Sequence, residues 1–142
     1  MRREYGFVAR FEADPDGGVL VTFPEVPEAI AHGRNHNNAV AQARIALAVA
    51  LFGYLKHGEK TPVPKRRSGQ RLAPHATDVL KIAVVEAWMD SGLSKSEFAR
   101  MLGVDEKEAR RILDPDAATK VDRLEEALSV LGRKVHLAVE AA

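Results

Sequence analysis

The apolar pattern changes its period once, at Arg34-Asn35, and that change constrains the fold more than any other feature of the chain. Upstream, Phe7, Ala9 and Phe11 alternate with Val8, Arg10 and Glu12, the period of a β-strand. Asp14-Pro15-Asp16-Gly17-Gly18 is a cluster of turn formers. Val19-Leu20-Val21-Thr22-Phe23 follows as a second β-rich run, so the two predict a hairpin. Pro24-Glu25-Val26-Pro27 breaks that run, and Ala29 to Gly33 reads as a short third strand. Downstream, Asn35 suits an N-cap. Val40, Ala43, Leu47, Ala50, Leu51, Tyr54 and Leu55 then recur at helical spacing through His57, with Gly58 as the stop. A helix with one apolar face laid on three strands predicts a small α+β domain over residues 1–60.

Residues 61–76 read as a linker, with one short strand near Leu72. They contain Pro62, Pro64 and Pro74, together with Lys65, Arg66, Arg67 and Arg71 and no acid, a net charge of +4. Residues 1–60 are electrically balanced and residues 77–142 carry net −3. A basic stretch of this kind can hold phosphate, although a solvated linker is the plainer reading.

Residues 77–142 predict an all-helical domain. Thr77 is placed to cap a helix carrying Leu80, Val84, Ala87 and Trp88, ending near Gly92. Trp88 lies on the apolar face and reads as core. Ser94-Lys95-Ser96-Glu97 has the form of a capping box, in which serine and glutamate each satisfy a free backbone N–H. The helix that follows bears Phe98, Ala99 and Leu102 and stops at Gly103. Asp105 is placed to cap another short helix with Ala109, Ile112 and Leu113, ended by Asp114-Pro115. Thr119 is placed to cap a last helix through Leu124, Ala127, Leu128 and Leu131 to Gly132, and Val135, Leu137 and Val139 alternate as a closing strand. The expected fold is α+β: a β-β-β-α(-β) domain, then an all-α domain ending in a short strand.

With 142 residues the chain makes one ordinary domain or two small ones, and 46 % apolar content is enough to build cores. Without cysteine it has neither disulfides nor thiolate metal sites. No uninterrupted apolar run reaches the ~18 residues of a membrane span, and the N-terminus lacks a long apolar signal segment. A cytoplasmic protein is expected.

Two short helices, Lys95–Leu102 and Glu106–Leu113, joined at Gly103-Val104, form the pattern of a helix-turn-helix. The first helix braces the second, whose side chains enter a major groove. Lys107, Arg110 and Arg111, with Ser94, Lys95 and Lys120, are the candidate DNA contacts. A plain helical hairpin in a bundle has the same spacing. Against DNA binding stand Asp105, Glu106 and Glu108, acids that repel phosphate. Asp105 and Glu108 suit a cap and the positive end of a helix dipole. Glu106 is either a solvated acid or an acceptor for a cytosine amine.

The order of these pieces resembles the HicB family of antitoxins across nearly the whole chain. The resemblance rests on Val21-Thr22-Phe23-Pro24-Glu25-Val26-Pro27, Gly33, Ala39, Ala43-Arg44, Gly58-Glu59 and Pro62. It continues through Gly92-Leu93-Ser94, Ala99-Arg100, Leu102-Gly103-Val104, Arg111, Leu113-Asp114, and Leu124 to Arg133. The chain departs from the family pattern at Glu28, where glycine is common, at Asn38, where an acid is common, and in the acidity of the second short helix. The resemblance implies a partial RNase H-like N-terminal domain without catalysis, which blocks a small HicA-type RNA-cleaving toxin. It implies a C-terminal helix-turn-helix domain (residues 77–142) that dimerises, or builds a higher oligomer, and represses its own operon at operator DNA. Charge complementarity to a basic toxin makes Glu25 and Glu28 candidate toxin contacts.

No enzyme is expected. A metal-dependent nuclease of RNase H type needs a carboxylate in the middle of its first strand, and Tyr5 to Phe11 contains none. Glu12, Asp14 and Asp16 belong to the turn. His32 and His36 are separated by Gly33 and the Asn35 cap, so they share no helical face, and neither a metal nor a cofactor is expected. The alternative to an antitoxin and repressor is a protein-interaction module whose helix-turn-helix only dimerises.

Overall fold

The computed structural model describes residues 2–141. The chain is α+β and divides into two compact units between Val79 and Leu80.

In the N-terminal unit, strands β1 (Phe7–Val8) and β2 (Arg10–Ala13) follow each other through Ala9. β2, β3 (Val19–Thr22) and β4 (Ile30–Gly33) form an antiparallel meander, with Phe11 opposite Val21 and Val21 opposite Ala31. The alternation works as the sequence predicts: Phe7 and Ala9 are buried, while Arg10 and Glu12 face solvent. The hairpin turn closes on Asp14, whose carboxylate accepts from the Asp16 N–H at 2.9 Å while its carbonyl accepts from Gly17. Gly17 and Gly18 both take positive φ, as such a turn requires.

Helix α1 (His36–Lys56) packs on β3 and β4 through Ala39, Ala43, Leu47 and Leu51, all fully buried. Asn35 caps it as predicted, its side chain accepting from the Asn38 N–H, and the Asn38 side chain in turn accepts from the Arg34 N–H at 2.8 Å. The amide of Asn38 thus does the work of the acid common at that position. Gly33 is where β4 runs under α1: a Cβ there would collide with the backbone of Ala39. α1 is long and apolar enough by composition to cross a membrane, although Arg44 interrupts it. In the fold it is a core helix, and the Arg44 guanidinium donates to the carbonyls of Ala73 and Pro74.

Residues 61–76 contain the short strand expected near Leu72. β5 (Arg71–Leu72) pairs with β1, Phe7 opposite Leu72, and the Ala9 N–H donates to the Gln70 carbonyl. Thr61 and Leu72 are buried, and the Arg3 guanidinium donates to the Thr61 hydroxyl and the Pro62 carbonyl, each at 2.9 Å. Burial of Thr61 and Leu72 ties the segment to the N-terminal unit, and polar composition concealed those contacts.

Helix α2 (Ala76–Ser91) carries the boundary between the units. The His75 carbonyl accepts from the Val79 N–H, so Thr77 lies in the first turn and not at the cap. The C-terminal unit then builds α3 (Lys95–Leu102), α4 (Glu106–Ile112) and α5 (Val121–Val130) around one core. Leu80, Val84 and Ala87 of α2 meet Phe98, Ala109, Ile112, Leu124 and Leu128 there. Phe98 is fully buried, a contribution of about 2–3 kcal/mol by apolar area. The expected closing strand does not form: no strand lies within residues 80–141, so Val135–Val139 has no edge to pair with. Val135 packs on the helical core, while Leu137 and Val139 are 80 % and 97 % exposed.

Candidate nucleic-acid interface

The α3–α4 pair is fixed at its corners by side-chain chemistry. Ser94 forms the expected capping box: its hydroxyl accepts from the Glu97 N–H, and the Glu97 carboxylate accepts from the Ser94 N–H. These bonds hold the Glu97 carboxyl below the usual carboxylate range. Gly103 ends α3 with φ 75°, a left-handed turn, and the Val104 N–H donates to the Ala99 carbonyl. Asp105 then caps α4 by accepting from the Glu108 N–H at 2.8 Å.

Ala109 and Ile112 bury one side of α4, which leaves Glu106, Lys107, Arg110 and Arg111 on the exposed side. The structure therefore gathers three of the candidate cations on one surface. Glu106, for which the sequence offers no structural role, has one: it accepts from the Ser96 hydroxyl of α3, and its carboxylate lies 3.9 Å from Arg110. Such an exposed pair contributes little to stability, but it partly neutralises one of the three cations.

Of the other candidates, Lys120 joins Lys107 and Arg111 at one hollow, whereas Ser94 and Lys95 do not line it. The hydroxyl of Ser94 is engaged in its cap, and Lys95 is exposed with its ammonium 5.9 Å from the Trp88 ring. Lys120, not Thr119, is the residue before α5, and it makes no side-chain cap bond. It opens onto a polar hollow of roughly 500 Å³ beside α4 and the start of α5. Lys107, Arg111, Lys120 and Arg123 meet Asp105, Glu108, Asp122 and Glu126 there, four cations against four acids. That balance makes the hollow a poor phosphate site.

Sequence reasoning missed Lys81, the only cation of α2, which is 4 % exposed. Its ammonium donates to the carbonyls of Arg111 and Ile112 at 3.1 and 2.9 Å, and to the Thr119 hydroxyl at 2.7 Å. It thus closes the C-terminal end of α4, where backbone carbonyls lack partners and a positive charge is favoured. This bond also explains Thr119, whose oxygen serves Lys81 and not the helix cap. Burial lowers the Lys81 pKa to about 8, partly opposed by the Asp114 carboxylate nearby. A lone lysine in an otherwise apolar stretch, Leu80 to Val85, was the available signal.

Glu25 and Glu28 both make bonds inside the N-terminal unit. Glu25 accepts from the backbone N–H groups of Lys65 and Arg66, at 2.8 and 3.2 Å. The Tyr54 hydroxyl donates to the Glu28 carboxylate, with oxygens at 2.7 and 2.6 Å, and this bond pushes the Tyr54 pKa up to about 12. Among the described residues no group of three His, Asp or Glu side chains is arranged to hold a metal ion.

No protein-family model matches the chain. It is 31 % identical over 125 residues to an antitoxin HicB of Photorhabdus laumondii, covering 88 % of this chain and 81 % of that protein. It is 32 % identical over 131 residues to the antitoxin HicB of Pseudomonas fluorescens, covering 89 % and 88 %. With the antitoxin HicB of Escherichia coli it shares 29 % identity over 128 residues, covering 87 % and 91 %. The two units thus lie within a class of proteins named as antitoxins. The chain belongs to the HicB antitoxin family.

Proposed function

We propose that the chain is an antitoxin that binds and neutralises a small HicA-type RNA-cleaving toxin and represses its own operon through the α3–α4 pair. The observation that carries this reading is family membership over both units, since the aligned lengths span them. The toxin-binding part is the N-terminal unit, a β-meander and one long helix without a first-strand acid, acting as a partial RNase H fold that has lost catalysis. α3 and α4 act as a helix-turn-helix, with Lys107, Arg110 and Arg111 toward DNA and Ser94, Lys95 and Lys120 at its borders. The protein works in the cytoplasm as a homodimer or a higher oligomer. The exposed Leu137 and Val139 support pairing of the C-terminal stretch with its copy in a second chain.

Co-expression with the small reading frame adjacent to the gene tests the reading. The neighbour is expected to stop growth alone, to be silent beside this protein, and to co-purify with it. A harmless neighbour that ignores this protein refutes the antitoxin function. Glu28→Lys tests the toxin contact more cleanly than any change at Glu25, because Glu25 also anchors the backbone at Lys65 and Arg66. Unchanged toxin affinity in Glu28→Lys removes that residue from the interface.

One specific observation favours a second reading, in which the α3–α4 pair only dimerises: the acids Asp105, Glu106 and Glu108 crowd the start of α4. Duplex binding that weakens as salt rises, and weakens again in Arg111→Ala, refutes it.

A further inference from the structure

The proposed DNA reader is short of positive charge. Residues 80–142 carry ten Lys/Arg against twelve Asp/Glu, a net charge of −2, and the hollow beside α4 is balanced. Duplex affinity comes chiefly from cations that displace the counterions of phosphate. The cations missing from the C-terminal unit are concentrated in residues 65–71 of the N-terminal unit, where four Lys/Arg stand without an acid.

That segment is held in a defined shape. The Glu25 carboxylate binds the backbone N–H groups of Lys65 and Arg66. Arg67 pairs with Glu4 at 2.8 Å, and the segment closes through β5 onto β1. Arg67 also holds the Glu4 carboxyl below its usual range. Because Glu25 grips the backbone, the side chains of Lys65 and Arg66 stay exposed, and neither enters an ion pair among the described residues. Arg2 is exposed and lines a hollow with Arg3, Glu4, Pro64 and Arg67. A backbone already held in place presents these exposed cations to a repeating anion without the cost of ordering the loop itself.

We propose that this anchored basic loop, centred on Lys65 and Arg66, is a sequence-independent contact for the phosphate backbone of duplex DNA. It rests on the DNA-binding reading above and adds to it a phosphate contact within the N-terminal unit that is indifferent to base sequence.

The test uses the full chain, a random-sequence DNA duplex and an operator duplex, each titrated over a range of salt concentrations. Lys65→Ala with Arg66→Ala is compared with Lys107→Ala with Arg110→Ala. The loop variant is expected to weaken both duplexes alike and to lower the slope of log affinity against log salt by about 2, at ~0.9 per lost phosphate contact. The α4 variant is expected to reduce the preference for operator over random duplex. Toxin co-purification is expected to survive the loop variant, which shows that the N-terminal unit still folds. An unchanged slope in the loop variant, with operator binding intact in wild type, overturns this inference and leaves the repressor reading standing. Equal or tighter binding of single-stranded RNA at the loop overturns the assignment to duplex DNA. No duplex binding by the wild type overturns the inference and the repressor reading together.

Discussion

The two units treat their polar side chains in opposite ways. The N-terminal unit fully buries none of its charged side chains: Glu25 and Glu4 hold the basic loop, Glu28 takes the Tyr54 hydroxyl, and Arg3 and Arg44 are half-buried against Thr61, Pro62, Ala73 and Pro74. Its interior is apolar apart from Thr61, with Phe7, Val21, Phe23 and Leu47 fully buried. The C-terminal unit buries two charged residues, Lys81 and Glu86, and Lys81 ends α4 and fixes the α4–α5 connection together. On its surface acids and bases nearly cancel. The contrast teaches that shape and charge are assigned to different units. The helical unit uses the buried Lys81 to set the geometry of α4, and the sheet unit leaves its cations exposed or half-buried.

The largest expected effect tests the apolar construction of the N-terminal unit. Gly33→Ala places a methyl group against the Ala39 backbone, which cannot yield as a flexible side chain does. We expect a loss of about 3 kcal/mol or more, measured by chemical denaturation, together with loss of toxin binding. A variant as stable as wild type would show that α1 can move off β4, and that this unit is less closely packed than its geometry indicates.

Next comes the buried cation. Lys81→Met keeps the aliphatic stem and removes the ammonium, leaving the carbonyls of Arg111 and Ile112 and the Thr119 hydroxyl without their donor. The expected cost is about 1–3 kcal/mol. Duplex binding should fall and toxin binding should persist, because the damage lies at the end of α4. Equal loss of both activities would break the comparison between the units.

Alkaline titration separates the units by sign. Lys81 has a folded pKa of about 8 against an ordinary 10.5. Between those values the unfolded chain holds a proton that the folded chain has released, so its contribution rises with pH across that window. Tyr54 has a folded pKa of about 12 against an ordinary 10.0. There the folded chain keeps the proton longer, and its contribution is lost as pH rises from 10 toward 12. Stability against pH is therefore expected to rise and then fall. Lys81→Met should remove the rise and Tyr54→Phe the fall. A Lys81→Met profile that still rises would assign the effect to another group.

The same contrast explains what the sequence made legible. Period two and period 3.6 identify β2, β3, β4 and α1, because each element has one apolar face and the pattern follows from burial alone. The Ser94–Glu97 box and the Gly103 turn are equally readable, because capping is local chemistry. In residues 61–76 the short strand near Leu72 was readable but its partner was not, since β5 pairs with β1 far earlier in the chain. Thr119 misled for a related reason: a threonine before a helix suits a cap, but Lys81, thirty-eight residues earlier, engages its oxygen. Of the candidate DNA contacts, Lys107, Arg110 and Arg111 could be grouped from helical spacing. The roles of Glu25 and Glu28 depend on partners distant in sequence and were out of reach.

The smallest expected effect concerns Trp88, which the sequence places in the core and the structure sets partly buried against it. Its indole N–H is buried without an acceptor among the described residues. A buried donor left unpaired forfeits its hydrogen bond to water, a cost of about 1–3 kcal/mol that opposes the gain from burying the ring. Trp88→Phe removes the donor but also some apolar area, so the two effects nearly cancel, and a change within about 1 kcal/mol is expected on thermal or chemical unfolding. Trp88→Ala keeps neither and should cost about 3 kcal/mol or more. A large loss in Trp88→Phe would mean that the indole nitrogen has a partner in solution. The C-terminal unit would then hold another buried polar contact besides Lys81 and Glu86, and its contrast with the sheet unit would be sharper still.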